Sequence, residues 1–328
     1  MGRSMRRRQF LSLVGAGALW PVAVRAQLSP VVIGILQIGA SEAYPLAGFR
    51  RGLEEAGYVE GRNLTIEYRF ANDDPDRLPK LAQDLVHRQV RAIVAIGSPI
   101  PVRAAMAATN IIPIIFGFGS NPVQLNIVTS LNRPGGNVTG MTSQSSELVG
   151  KQLGILRDVV PQATSFGMLI HATNPSQRII AKAAEAAAEK LASGIEIVTV
   201  ENSDEVETRL ARLAGTKGIK GVVVSNDPLF IADRTRLIDI FAQNRLPAIY
   251  PFRAQTEAGG LMSYGPDLAD RDREVGHYVA RVLNGEQPAE LPVLQATKFE
   301  FILNVKTAKA LGLTFSSGLL SIADEVLE

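Results

Sequence analysis

The chain has 328 residues, 34 Lys and Arg against 32 Asp and Glu (net +2), and no cysteine. The lack of cysteine excludes a disulfide framework, a thiol nucleophile, Cys-ligated zinc and a lipidated cysteine anchor. The first 26 residues hold five arginines (Arg3, Arg6, Arg7, Arg8, Arg25) and no acid, so the remainder has 29 basic and 32 acidic side chains, a net −3. That balance gives no electrostatic footprint for nucleic acid or anionic lipid.

In chain order, Arg7-Arg8-Gln9-Phe10-Leu11 and the apolar run ending at Val24-Arg25-Ala26 read as an export signal of the twin-arginine kind, cleaved after Ala26. The run from Leu11 to Val24 carries Gly15, Gly17 and Pro21 and is shorter than the roughly 20 residues a membrane span needs. A protein working in the periplasm is expected.

Short β-branched runs then alternate with amphipathic stretches. Strands are expected at Val31–Leu36, Ala92–Ile96, Pro113–Phe116, Phe166–Ile170, Ile195–Val200, Gly221–Ser225, Pro247–Tyr250 and Glu300–Leu303. Helices are expected at Tyr44–Ala56, Pro75–Arg88, Val102–Ala108, Ser146–Val159, Pro175–Leu191, Glu205–Ala214, Phe230–Asn244 and Asp267–Leu283. Continuously apolar strands suit parallel sheets covered on both faces, and the alternation specifies α/β architecture. The turn-rich Asn132–Asn137 reads as the break between two doubly wound lobes.

Ligands in such folds sit beyond the carboxyl ends of the strands. Those ends carry Gln37, Gly97-Ser98-Pro99, Ser120-Asn121-Pro122, Asn174-Pro175 and Ser225-Asn226-Asp227-Pro228. A hydroxyl, amide or acid before proline is an ordinary helix N-cap, but the same ends also suit a ligand carboxylate. Asp227 can either pair with a ligand ammonium or cap the next helix. Tyr264 and Phe252 could supply aromatic walls. Enzyme signatures are lacking: His87, His171 and His277 are far apart in sequence, only His171 stands at a strand end, and no HExxH, GxSxG or Walker pattern occurs. No catalytic residue, metal or cofactor is expected.

A set of stretches then points to a family. They include Ile33-Gly34-Ile35-Leu36-Gln37, Gly57-Tyr58-Val59-Glu60-Gly61-Arg62-Asn63, Pro113-Ile114-Ile115-Phe116, Pro134-Gly135-Gly136-Asn137-Val138-Thr139-Gly140 and Gly259-Gly260-Leu261-Met262-Ser263-Tyr264-Gly265. With these in order, the chain resembles the ABC-transporter substrate-binding family that includes the bacterial tryptophan and aromatic-amino-acid binding proteins. The resemblance implies a class I periplasmic-binding fold: two parallel-sheet α/β lobes joined by a three-segment hinge. Lobe 1 is expected at 27–143 plus 264–290, and lobe 2 at 144–263 plus 291–328. It further implies Gln37, Ser98, Ser120 and Asn121 as ligand contacts from one side and Asn174, Asp227 and Tyr264 from the other. Asp227 would meet an α-ammonium. Asn121 stands where those proteins tend to have Asp, and the loop after Gln37 is shorter than theirs. The implied partners are a small solute, an amino acid or related polar molecule, and an inner-membrane ABC permease, with the receptor a monomer. The alternative output is solute sensing for a membrane sensor kinase.

Overall fold

The computed structural model describes residues 30–40 and 46–328; the expected export signal lies outside them. The chain opens with β1 (Val31–Gln37), α1 (Ala47–Glu55), β2 (Leu64–Phe70), α2 (Leu78–His87), β3 (Ile93–Ile96), α3 (Pro99–Ala108), β4 (Ile114–Phe118) and β5 (Val138–Thr142). It crosses over through 143–144 into α4 (Ser145–Val159), β6 (Ser165–His171), α5 (Gln177–Lys190), β7 (Gly194–Val200), α6 (Ser203–Ala214) and β8 (Ile219–Val224). This second block continues with α7 (Pro228–Ala232), α8 (Arg234–Gln243), β9 (Ala248–Tyr250), α9 (Arg253–Glu257) and β10 (Met262–Pro266). The chain returns at Asp267 for α10 (Leu268–Leu283) and β11 (Leu294–Gln295). It then crosses once more into β12 (Phe299–Asn304), α11 (Val305–Ala310), α12 (Ser317–Ile322) and β13 (Glu325–Leu327).

Two sheets result, in the orders β11-β5-β4-β3-β1-β2 and β13-β12-β10-β9-β8-β6-β7. All pairs in the first are parallel. The second departs from that pattern at β10 and β12, which run antiparallel. β1, β3 and β4 are almost entirely buried, as strands covered by helices on both faces must be. In each sheet the winding reverses beside the first strand of its block, between β1 and β3 and between β6 and β8. A crevice opens beyond the strand ends at such a switch point.

The three crossings lie side by side. Ala296 N–H donates to the Thr142 carbonyl, and Asp267 N–H donates to the Lys298 carbonyl. The lobe bounds expected at 264 and 290 shift by a few residues. β10 pairs with β12, Tyr264 opposite Phe301, so Tyr264 to Pro266 belong to the second sheet. β11 pairs with β5, so the segment through Gln295 belongs to the first. The turn at Asn132–Asn137 is no lobe break. It leads into β5 with the Asn137 amide donating to the Ile112 carbonyl at 2.7 Å, and the crossing follows one strand later. The single helix expected over Phe230–Asn244 is two, parted at Asp233.

In the first lobe α1 lies against α10 with backbone nearly touching backbone. A Cβ on Gly52 would stand 1.9 Å from the Arg273 carbonyl oxygen, and one on Gly276 would stand 2.4 Å from that of Phe49. Alanine favours a helix over glycine by about 1 kcal/mol, but here it forces the helices apart, at about 1–3 kcal/mol or more. Gly52→Ala is therefore expected to lower the unfolding free energy in denaturant titration. An unchanged or raised midpoint would contradict the close packing.

Candidate functional site

The two switch points face each other across a cavity of about 140 Å³. The first lobe contributes Ile38, Asp73, Pro75, Ser98 and Ile100. The second contributes His171, Thr173 and Asn174 after β6, Glu201 and Asn202 after β7, and Asp227, Pro228 and Leu229 after β8. A larger cavity of about 190 Å³ flanks the hinge, but its cation, Arg253, is already paired with Glu257, Glu300 and Glu325. The cavity at the switch points, by contrast, gathers polar groups from the strand ends of both sheets.

Its second-lobe wall is organised by Asp227, 1 % exposed. Oδ1 accepts from the Leu229 N–H at 3.0 Å, capping α7, and lies 3.0 Å from His171 Nδ1. Oδ2 accepts from Asn174 Nδ2 at 2.7 Å and Gln177 Nε2 at 3.3 Å. A carboxylate has about four acceptor positions, and all are taken within the second lobe. Asn174 is fixed in turn, its Oδ1 accepting from the Ser176 N–H at 3.0 Å.

His171 Nε2 lies 2.8 Å from Thr173 Oγ1 and 3.2 Å from the Glu201 carbonyl oxygen. Thr173, His171 and Asp227 thus outline a nucleophile–base–acid row. A carbonyl can only accept, however, so its approach to Nε2 favours a proton there and removes the lone pair a general base needs. Burial lowers the imidazolium's pKa, but the Asp227 carboxylate and the Glu201 carbonyl outweigh it and hold the pKa above its ordinary value. Across the cavity burial raises the Asp73 carboxyl, the Asp227 charge adds to that, and His171 opposes it.

Ser98, 1 % exposed, caps α3 by accepting from the Ile100 N–H at 3.3 Å. The N-terminus of this 10-residue helix, with Pro99 at its start, therefore meets the cavity. Elsewhere the lobes touch directly. Ser145 N–H of the second lobe donates to the Gly119 carbonyl of the first, and within the second lobe Asn226 Nδ2 donates to Ser145 Oγ at 2.7 Å. A Cβ on Gly119 would lie 2.2 Å from Asn226 Nδ2. Ile231 and Phe252 of the second lobe join the apolar cluster of the first around Phe49 and Val275.

A family model described as ABC transporter substrate binding protein matches residues 32–327. This chain belongs to that family. Such proteins bind solutes for ABC transporters, and the two-lobed α/β fold with its cavity at the switch points is the one the resemblance implied. The receptor is 29% identical over 283 residues to a tyrosine-binding protein of Clostridioides difficile (strain R20291), a match spanning 85% of this chain and 80% of that one. Among solved structures, the ABC domain of Streptococcus pneumoniae in complex with L-Trp superposes with a TM-score of 0.84 at 24% identity, covering 91% of this chain and all of that one. The ligand-free, open structure of a substrate-binding protein with adhesive properties from Clostridium difficile gives 0.66 at 26% identity, with 91% and 99% coverage.

Of the seven ligand contacts expected, Ser98, Asn174 and Asp227 are among the residues lining this cavity, and Gln37, Ser120, Asn121 and Tyr264 are not. Gln37 is 3 % exposed at the end of β1, its Nε2 without a partner among the described residues. Ser120 is buried and its carbonyl accepts from Thr142 Oγ1. Asn121 caps its own turn, accepting from the Val123 and Gln124 N–H groups. Tyr264 stands on the second lobe, stacked on Phe299 and edge-on to Phe301, with Lys151 Nζ 4.3 Å from its ring centre. Phe252 is core. Asp73, His171 and Thr173 were not among the expected contacts. A strand-end histidine followed by a hydroxyl was the available signal for two of them. Among the described residues no group of three or more His, Asp or Glu could hold a metal ion, and no helix is long and apolar enough to cross a membrane.

A raised folded-state pKa means His171 stabilises the fold fully below its unfolded value, about 6.5, and less as pH rises through the folded value. Unfolding free energy measured from pH 5 upward is expected to fall across that window, with the slope reduced in His171→Gln. Asp227→Ala strands four donors and is expected to cost about 3–5 kcal/mol. A loss under 1 kcal/mol would show that the network carries no weight.

Proposed function

We propose that this chain is an exported, monomeric receptor that captures an amino-acid-like solute between its lobes and delivers it to an inner-membrane ABC permease. The twin-arginine leader ending near Ala26 supports export to the periplasm. One observation carries the solute reading: a cavity built at both switch points, with the N-terminus of α3 at Ser98 on one wall and acids on both. A helix N-terminus suits a carboxylate, an acid suits an ammonium, and Ile38, Ile100 and Leu229 offer apolar surface to a side chain. The tyrosine and L-Trp named for the relatives are in keeping with such a ligand. The occupied His171 argues for binding without turnover.

Closure follows from contacts that only the closed arrangement makes. A ligand touching both walls shifts the lobes by its differential affinity. The higher similarity to the L-Trp complex than to the open relative supports reading this arrangement as the closed one.

In a thermal-shift panel of amino acids, sugars, purines and small carboxylates, at least one amino acid is expected to stabilise the receptor. A ligand at 100 times its Kd adds about 2.7 kcal/mol, which is several degrees for lobes of this size. A response confined to sugars or purines would contradict the reading. Gly119→Val, which sets a side chain against Asn226, is expected to leave the fold intact and to weaken that ligand by holding the lobes apart. Unchanged affinity would show that the Gly119 contact is not part of closure.

A further inference from the structure

Three acids line the cavity, but they are not equivalent. Asp227 has every acceptor position filled by Leu229, His171, Asn174 and Gln177, all in its own lobe. A ligand ammonium could bind it only by displacing one of those donors. Glu201 lies exposed in the second lobe, its carbonyl turned to His171 and its carboxylate, like that of Asp73, accepting no hydrogen bond from the described residues, so it adds an acid only to the wall that already holds Asp227. Asp73 is the acid of the first lobe in this cavity; it is exposed, and its carboxylate accepts no hydrogen bond from the described residues. It stands three residues beyond the end of β2 (Phe70, paired with Gln37), and its backbone is held in place. Asn72 and Asp73 take φ of 55° and 62°, and the Asp73 N–H donates to the Ile38 carbonyl at 2.7 Å. Asn and Asp are the non-glycine residues best suited to that left-handed region.

We propose that Asp73 is the cation-recognising residue of the receptor, taking the ligand's protonated amine at a carboxylate without a partner among the described residues. Asp227 then acts from behind, holding Asn174, His171 and the start of α7 in position without touching the amine. The substrate class is accordingly a solute with an ammonium group. A carboxylate of the same shape without an amine meets acids on both walls and no lysine or arginine. The assignment rests on the reading of this cavity as the solute site, and it places the charge contact on the lobe opposite Asp227, where it contributes to closure.

Isothermal titration separates the two. Wild-type receptor, Asp73→Asn and Glu201→Gln are titrated with the L-amino acid that stabilises wild type most in the panel, and with the des-amino acid of the same side chain. Asparagine tolerates the same backbone, so Asp73→Asn should unfold at the wild-type temperature. It is expected to lose about 10- to 100-fold in affinity for the amino acid, while Glu201→Gln stays within about twofold. Wild type should reject the des-amino acid, and Asp73→Asn should narrow that discrimination, which a merely structural role would not do. Wild-type binding retained in Asp73→Asn, or lost instead in Glu201→Gln, overturns the assignment alone. Failure of every amine to bind wild type overturns the cavity reading as well.

Discussion

The carboxylate of Asp227 is the point on which the second lobe's binding wall turns. It sits at the end of a buried parallel strand, where an ionised group is tolerated only if its charge is met by donors. Four such donors come from three separate loops or helices: His171 and Asn174 after β6, Gln177 on α5, and the first turn of α7. Satisfying one anion thus brings the segments that follow neighbouring strands into one surface. The cavity is a by-product of that convergence, since the loops meeting at Asp227 are those that diverge around the β6–β8 switch point.

The opposite wall is arranged differently. In the first lobe no single charge gathers the loops. Ser98 caps α3, Asn121 caps its own turn, and Asp73 is held by backbone alone. A self-satisfied wall therefore faces a wall with a helix N-terminus and a carboxylate that has no partner among the described residues. The three hinge crossings are hydrogen-bonded to one another at Thr142–Ala296 and Asp267–Lys298, so the lobes are constrained to move about one line. Gly119, Ser145 and Asn226 meet where that motion ends.

Much of this was legible in the sequence because the central strands are nearly uninterrupted apolar runs: Ile93–Ile96, Ile114–Phe118 and the core of Ile219–Val224 could hardly be anything else. The edge strand β2 was not, since Thr65, Glu67 and Arg69 alternate with apolar residues and face partly outward. Missing β2 hid the loop at its end and with it Asp73. β5 escaped for another reason. Its threonines are buried, which is tolerable only because Thr139 and Thr142 donate to the Leu291 and Ser120 carbonyls, partners far away in sequence. β10 was not expected as a strand, since Gly265 and Pro266 interrupt it. Gly265 is instead where the strand passes the Pro251 carbonyl with no room for a Cβ, 1.8 Å away. For Asp227 the sequence left two roles open, and only coordinates reveal how many donors already surround it.

The central claim is that one solute is gripped by both walls at once. Amide hydrogen exchange with and without the stabilising amino acid tests it most directly, because protection is read segment by segment. The account predicts slowed exchange at 97–103 in the first lobe together with 171–177 and 225–231 in the second. Protection confined to one lobe, or centred on a second-lobe cavity that Ile238 and Phe241 of α8 form with Leu311 just after α11, would contradict it.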